Sequence, residues 1–156
     1  MQLVTTILVQ AAAWHVWHVL TTPQLTGDCL PGLLRWETLE PERRFALLVA
    51  WGESSGSSGL QVPAVVEWSD LAPPQRLTVS IQVRLGSGLV TGSALVQLCA
   101  RAAAETAVEI NADVHTANAL LQPIVHNAAG RLLPPLLRCL RAHAEARHTQ
   151  GQPPLQ

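Results

Sequence analysis

Residues 77–85 read Leu-Thr-Val-Ser-Ile-Gln-Val-Arg-Leu. The odd-numbered positions are all apolar and the even-numbered positions are all polar, which is the pattern of a β-strand with one dry face and one wet face. Residues 108–115 alternate in the same way, because Val108, Ile110, Ala112 and Val114 are separated by polar neighbours. One buried face and one solvated face are typical of antiparallel sheets, so the sequence predicts such a sheet.

The rest of the chain supplies more strands and the turns between them. We predict seven strands, at residues 3–9, 33–39, 45–52, 60–71, 77–85, 93–101 and 106–115. Turn signals rich in Pro, Gly and Ser separate the later strands, at 41–42, 54–59, 72–74 and 86–92. Residues 11–20 have helical spacing, and Pro and Gly cut residues 23–32 into short turns or a second small helix.

The dry face of the sheet needs a cover, and residues 118–148 provide a long amphipathic helix. Its apolar stripe consists of Leu121, Ile124, Val125, Ala128, Leu132, Leu136 and Leu140. Asn118 is a suitable N-cap. Pro134-Pro135 lies inside this pattern, so we expect the helix to break into two pieces there. A curved antiparallel sheet around one long C-terminal helix is an α+β fold.

Composition bounds the class of protein. The chain has 156 residues, of which 48% are hydrophobic and 13% are charged, so disorder is excluded and an apolar interior is expected. We predict one domain over residues 1–149 and a frayed tail over 150–156. The formal net charge of -1, with every basic residue an Arg, argues against nucleic-acid binding.

Neither export nor a structural cysteine framework is indicated. The first 27 residues lack Asp, Glu, Lys and Arg, but they also lack a basic n-region, and polar residues interrupt the apolar run. They are too polar for a membrane span. Cys29, Cys99 and Cys139 fit neither a disulfide framework nor a metal motif, so we interpret them as reduced thiols of a cytoplasmic protein.

The order of elements, together with particular residues, resembles the START-like (SRPBCC, helix-grip) superfamily, and within it the CoxG family associated with carbon monoxide dehydrogenases. The residues that carry the resemblance are Val16-Trp17-His18-Val19-Leu20, Pro23, Leu25, Cys29-Leu30-Pro31-Gly32, Asp70-Leu71-Ala72-Pro73-Pro74, Gly92-Ser93-Ala94 and Ala128-Ala129. The chain departs from the family pattern at Thr22, where an acidic residue is usual, and in having no Lys. Some longer relatives carry a Pro-rich linker and a membrane anchor after this domain, and we do not expect direct anchoring of that kind here.

The resemblance implies a cavity between the sheet and the long helix for an apolar molecule such as a lipid, sterol, polyketide or isoprenoid. It also implies an accessory role, in which the protein couples a molybdenum hydroxylase to the membrane or its quinone pool without redox chemistry of its own. The expected partners are therefore an apolar small molecule and a molybdenum-hydroxylase complex or membrane surface, at the inner membrane face at most as a peripheral protein.

The predicted inner faces of the strands carry no titratable side chain, so we predict no catalytic residue and no metal site. No cofactor is expected beyond a bound lipid or quinone. The predicted ligand-binding residues are Trp51, Val66, Trp68, Val79, Ile81, Leu121, Val125, Leu132 and Leu136.

Two other functions remain open at this point. A polyketide cyclase or dehydratase would need an inward acid or base, for which His126 and Asp28 are the candidates. An interaction scaffold would have a filled core instead of a cavity. The spacing His15-x-x-His18 predicts two solvated histidines rather than a metal site.

Three arginines, Arg131, Arg138 and Arg141, lie on the predicted polar side of the last helix. We interpret this side as a solvated face, with an acidic partner or lipid headgroups as the alternative.

Overall fold

The computed structural model describes residues 1–51 and 60–150, except for the side chains of residues 51 and 60. The strands are β1 (Gln2–Val9), β2 (Leu33–Glu40), β3 (Arg44–Trp51), β4 (Leu60–Ala72), β5 (Arg76–Leu85), β6 (Gly88–Ala102) and β7 (Glu105–Thr116). The helices are α1 (Ala13–Leu20), α2 (Pro23–Cys29) and α3 (Gln122–Thr149), with a 3-10 turn at Ala119–Leu121. The predicted hairpin tip at 54–59 and residues 151–156 of the predicted tail lie outside the described residues.

All seven strands form one antiparallel sheet in the order β1-β7-β6-β5-β4-β3-β2. The predicted α+β helix-grip fold is confirmed, because a curved sheet is covered by one long C-terminal helix. Strand β6 begins five residues before its predicted start at Ser93, since the turn before it occupies only Gly86 and Ser87.

The alternation in the sequence matches the two faces of the sheet. Phe45, Leu77 and Val108 are nearly inaccessible to solvent, at 1%, 2% and 3% exposure. Helices α1 and α2 pack beneath the second half of α3 and close one end of the layer between sheet and helix.

Helix α3 is continuous, so the predicted break at Pro134-Pro135 is wrong. Two prolines remove the N–H donors that would bond to the carbonyls of Gly130 and Arg131. Both of those residues are exposed, so water can satisfy their carbonyl groups. Packing of Leu140 and Ala144 against the core then holds the helix beyond the prolines. Asn118 caps the preceding turn as predicted, by accepting a bond from the Leu120 N–H at 3.0 Å.

The interpretation of all three cysteines as reduced thiols is also wrong. Cys29, the last residue of α2, forms a disulfide with Cys139 of α3, and Cys99 is free and exposed. The two partners are 110 residues apart in sequence. Local spacing could not reveal the pair, because only the packing of α2 against α3 brings them together.

A glycine after α2 permits a close approach of two backbone segments. Gly32 has a φ angle of 78°, and a Cβ atom there would lie 2.6 Å from the carbonyl oxygen of Ala50. The Gly32 carbonyl accepts a hydrogen bond of 2.7 Å from the Ala50 N–H. Any larger residue would push this connection away from β3, which explains the Pro31-Gly32 pair physically.

Candidate ligand-binding site

A cavity of about 340 Å³ lies between the inner face of the sheet and α3. Its lining is aliphatic and aromatic apart from Thr26 and Arg141. Strands β3 to β5 supply most of the floor, through Leu47, Val62 and Leu77 and their neighbours of the same parity. Such a lining offers an apolar molecule burial and very few polar contacts.

Six of the predicted ligand-binding residues line this cavity: Val66, Trp68, Val79, Ile81, Leu132 and Leu136. Leu121 lies elsewhere, with its side chain packed over Gly88. Val125 lines a separate groove with Met1 and His126. The side chain of Trp51 lies outside the described part of the chain. A ligand-binding role for the six residues stays a prediction.

The two halves of α3 differ in their relation to the core. The buried residues of the helix are Leu140 and Ala144, both in its second half. In the first half, Ile124 is 42% exposed, and only Leu132 and Leu133 line the cavity. The second half contributes the other lining residues of the helix: Leu136, Leu137, Leu140, Arg141 and Ala144. The second half of α3 therefore both covers most of the cavity and anchors the helix, whereas the first half has no fully buried residue.

Sequence reasoning missed three lining residues that carry polar atoms: Thr26, Trp36 and Arg141. Trp36 of β2 lines the cavity, and its buried Nε1–H has no hydrogen-bond partner among the described residues. Two register shifts in the β2–β3 pairing obscured the alternation that would have placed Trp36 inward. Arg141 is exposed, in agreement with its predicted place on the polar side of α3, but it also follows Leu133 and Leu137 at helical steps and lines the edge of the cavity.

The two acid–base candidates lie away from the cavity. His126 is exposed, and its Nδ1 is 3.0 Å from the sulfur of Met1. Asp28 is also exposed, although it belongs to α2. Within the described residues, the lining contains no carboxylate, imidazole or thiol.

The two histidines of α1 are not both solvated, so that prediction is wrong for His15. His15 is only 4% exposed and packs edge-on against His148 of α3, with ring centroids 5.3 Å apart. Burial, followed by the nearby charges of His148, Arg147 and His18, lowers the pKa of His15. Burial and then Arg147 lower the pKa of His18. This cluster joins α1 to α3, and the neutral imidazole of His15 is the form suited to it.

One group of metal-ligand atoms occurs among the described residues. The sulfurs of Cys29 and Cys139 and a ring nitrogen of His143 lie within 4.8 Å of one another. Both sulfurs are joined in the disulfide, so neither is a thiolate ligand in this state. The group is therefore a structural link between α2 and α3.

Comparison with known proteins identifies the family. A family model for CoxG, a subunit of carbon monoxide dehydrogenase, matches residues 6–143. The chain belongs to the CoxG family. The CoxG match extends from β1 into α3 and includes both Trp36 and Arg141. No curated protein sequence is significantly similar to this CoxG-family chain.

Solved structures show the same fold at low sequence identity. A conserved protein from Geobacillus kaustophilus has a TM-score of 0.81 and 16% identity, with 95% of this chain and 97% of that chain covered. A START superfamily protein from Mycobacterium smegmatis has a TM-score of 0.65 and 15% identity, over 97% of this chain and 99% of that one. The ZhuI aromatase/cyclase from Streptomyces sp. R1128 has a TM-score of 0.68 and 17% identity, over 94% of each chain.

These likenesses establish the START-like fold of the CoxG-family chain, and the family and fold are consistent with hydrophobic ligand binding. Among the described residues, no helix has the length and apolar character needed to cross a membrane.

Proposed function

We propose that this CoxG-family protein is a non-catalytic carrier that holds a lipid or an isoprenoid quinone in the cavity beneath α3. In this role it serves a molybdenum hydroxylase of the carbon monoxide dehydrogenase type. The observation that carries the proposal is the apolar cavity of about 340 Å³ in a fold whose core is otherwise well buried.

The size and lining of the cavity support an apolar ligand. Ligand pockets commonly range from about 300 to 1,000 Å³ and combine an apolar wall with a few polar groups. The lining residues that carry polar groups are Thr26, Trp36, Trp68 and Arg141. The Thr26 hydroxyl already donates to carbonyls of α1. An apolar tail transferred from water gains about 0.8 kcal/mol for each buried methylene group. A bound tail of several carbons would therefore stay with the protein through purification.

The hydroxylase partner and the quinone are supported by the family description alone. The CoxG model describes a subunit of carbon monoxide dehydrogenase. An electron acceptor carried between that enzyme and a membrane would have to be an apolar, redox-active molecule. An apolar molecule of this kind is suited to the apolar lining of the cavity and not to a polar surface groove.

A cyclase or dehydratase function has less support. General acid–base catalysis needs a titratable group within hydrogen-bond reach of the substrate. Asp28 and His126 both lie outside the lining. The likeness to the aromatase/cyclase shows the fold and not its chemistry. The carrier is therefore the function that the geometry supports best.

Solvent extraction of freshly purified protein tests the carrier directly. The host should make isoprenoid quinones, and the extract should be analysed by mass spectrometry. We expect a quinone or lipid in near-stoichiometric amount. An empty extract, repeated after incubation with quinone-containing liposomes, would contradict the proposal and favour a scaffold.

A cavity-filling variant gives the matched control. Ala94 lines the cavity from β6, beside Val79 of β5. Ala94→Phe should place a ring in the empty space, so ligand is lost while the free energy of unfolding changes little or increases. Val4→Phe adds the same ring at a side chain that is 72% exposed, and it should retain the ligand. Full retention of ligand by Ala94→Phe would place the binding site elsewhere.

A further inference from the structure

Two surface grooves that contain arginines share lining residues with the cavity, and in one of them an arginine also lines the cavity itself. A groove of about 260 Å³ runs between β1 and α3, lined by Thr5, Ile7, Leu133, Pro134, Leu137, Arg138 and Arg141. Four of these residues also line the main cavity: Ile7, Leu133, Leu137 and Arg141. The groove and the cavity are thus separated only by side chains, and Arg141 borders both.

Both charged residues that line the β1–α3 groove are arginines. Arg138 and Arg141 are three positions apart on α3, so they are neighbours on the helix surface. Within the described part of the chain, neither forms an ion pair with a carboxylate within 4.0 Å. Arg141 is also the only charged side chain in the described lining of the cavity. An arginine in this position lays its aliphatic stem along the apolar wall and keeps its guanidinium at the edge.

We propose that the preferred ligand is an amphiphile whose anionic head, a carboxylate or a phosphate, is bound by Arg141 in the β1–α3 groove while its tail fills the cavity. This inference rests on the proposed carrier function and narrows its ligand class. A guanidinium presents a planar fork of donors that matches both head groups in a bidentate manner. Its hydrogen bonds to an ionised acceptor are roughly twice as strong as those to a neutral one. A neutral quinone carbonyl would gain less from the same side chain.

A pair of ligands that differ only in the head group tests this. Hexadecanoic acid and hexadecan-1-ol have tails of equal length, and their affinities for the delipidated full chain can be measured at pH 7.5 by displacement of a fluorescent fatty-acid probe. We expect the acid to bind about 10–100-fold more tightly, which is the effect of one hydrogen bond to a charged group. Hexadecyl phosphate should share this advantage if charge is the common feature.

The decisive variant is Arg141→Gln, which replaces the cation with a shorter, neutral amide. It should weaken the acid to the affinity of the alcohol and leave the affinity of the alcohol unchanged. Arg84→Gln is the control, because Arg84 is exposed on β5 and lines neither the cavity nor the grooves beside it. A preference for the acid that survives in Arg141→Gln would overturn the proposal, as would an equal loss of both ligands, which would indicate a structural role.

The wild-type protein separates the two proposals. Equal binding of acid and alcohol would overturn the anionic head group and leave the apolar carrier in place. If neither binds and no quinone binds either, the carrier function fails, and the inference about Arg141 fails with it.

Discussion

The Cys29–Cys139 disulfide should account for a large part of the stability of this fold. The bond links α2 to α3 across 110 residues of sequence. In the unfolded chain it closes a loop of that length, and chain-entropy arguments assign such a closure about 4.8 kcal/mol at 25 °C. For a domain of this size, each kcal/mol corresponds to roughly 2–4 °C in Tm, so reduction should lower Tm by about 10–20 °C.

Thiol counting and thermal unfolding test this together. Denatured protein that has not been reduced should show one reactive thiol, that of Cys99, and reduction should raise the number to three. Thermal unfolding followed by circular dichroism should then show the drop in Tm on reduction. Cys139→Ala should already have the lower Tm and respond no further to the reductant, whereas Cys99→Ala should behave like the wild type.

Two results would refute the reasoning. Three reactive thiols in the unreduced protein would show that the bond does not form. A single thiol with a change in Tm of under about 3 °C would show that loop closure contributes far less than its length suggests.

Three further predictions concern α1, α3 and β2. Because burial lowers the pKa of His15, its contribution to stability is complete above the ordinary histidine pKa of about 6.5 and is lost as the pH falls below that value. Denaturant titrations at pH 7.5 and 5.5 should show a smaller change in the free energy of unfolding for His15→Phe than for the wild type. An equal change in both proteins would show that His15 does not cause the loss of stability. Leu140→Ala, at a side chain 8% exposed, should lower the free energy of unfolding by about 2–5 kcal/mol. Ile124→Ala, at 42% exposure, should cost under about 1 kcal/mol, and a loss comparable to that of Leu140→Ala would contradict the anchoring of α3 through its second half. Trp36→Phe removes an indole N–H that has no hydrogen-bond partner among the described residues, so the free energy of unfolding should change little. The affinity for a quinone should fall more than the affinity for an alkane of similar length. Equal losses of affinity for both ligands would show that the indole does not donate a hydrogen bond to the quinone.

The sheet could be predicted from the sequence because the alternation of apolar and polar residues that marks a strand lies within one short segment. The alternation over residues 77–85 already separates the inner Val79 and Ile81 from outward polar residues, and the structure places both in the cavity lining. The family resemblance was likewise carried by short turn and core motifs, and the family match confirms it. Local pattern therefore predicted the sheet that lines the cavity and four of its lining residues, Val66, Trp68, Val79 and Ile81.

The features that sequence reasoning missed depend on contacts between distant segments. Cys29 and Cys139 meet only when α2 packs on α3. His15 is buried because His148 lies against it, although neighbouring positions on α1 suggested a solvated face. Arg141 reaches the cavity because α3 lies with that edge toward β1. In each case the decisive quantity was the placement of a helix against distant segments, which a single sequence does not encode locally.

The position of β1 at one end of the sheet has a consequence for how the protein is made. Among the described strands its neighbour is β7, with Gln2 opposite Asp113 and Val9 opposite Thr106. During synthesis the first strand must therefore wait for most of the chain to follow before its partner leaves the ribosome. Long-range pairings of this kind slow folding to the millisecond-to-second range and expose apolar strands in the interval. The nascent chain should accordingly depend on chaperones until β7 is complete, and the pairing of Cys29 with Cys139 can follow only after that.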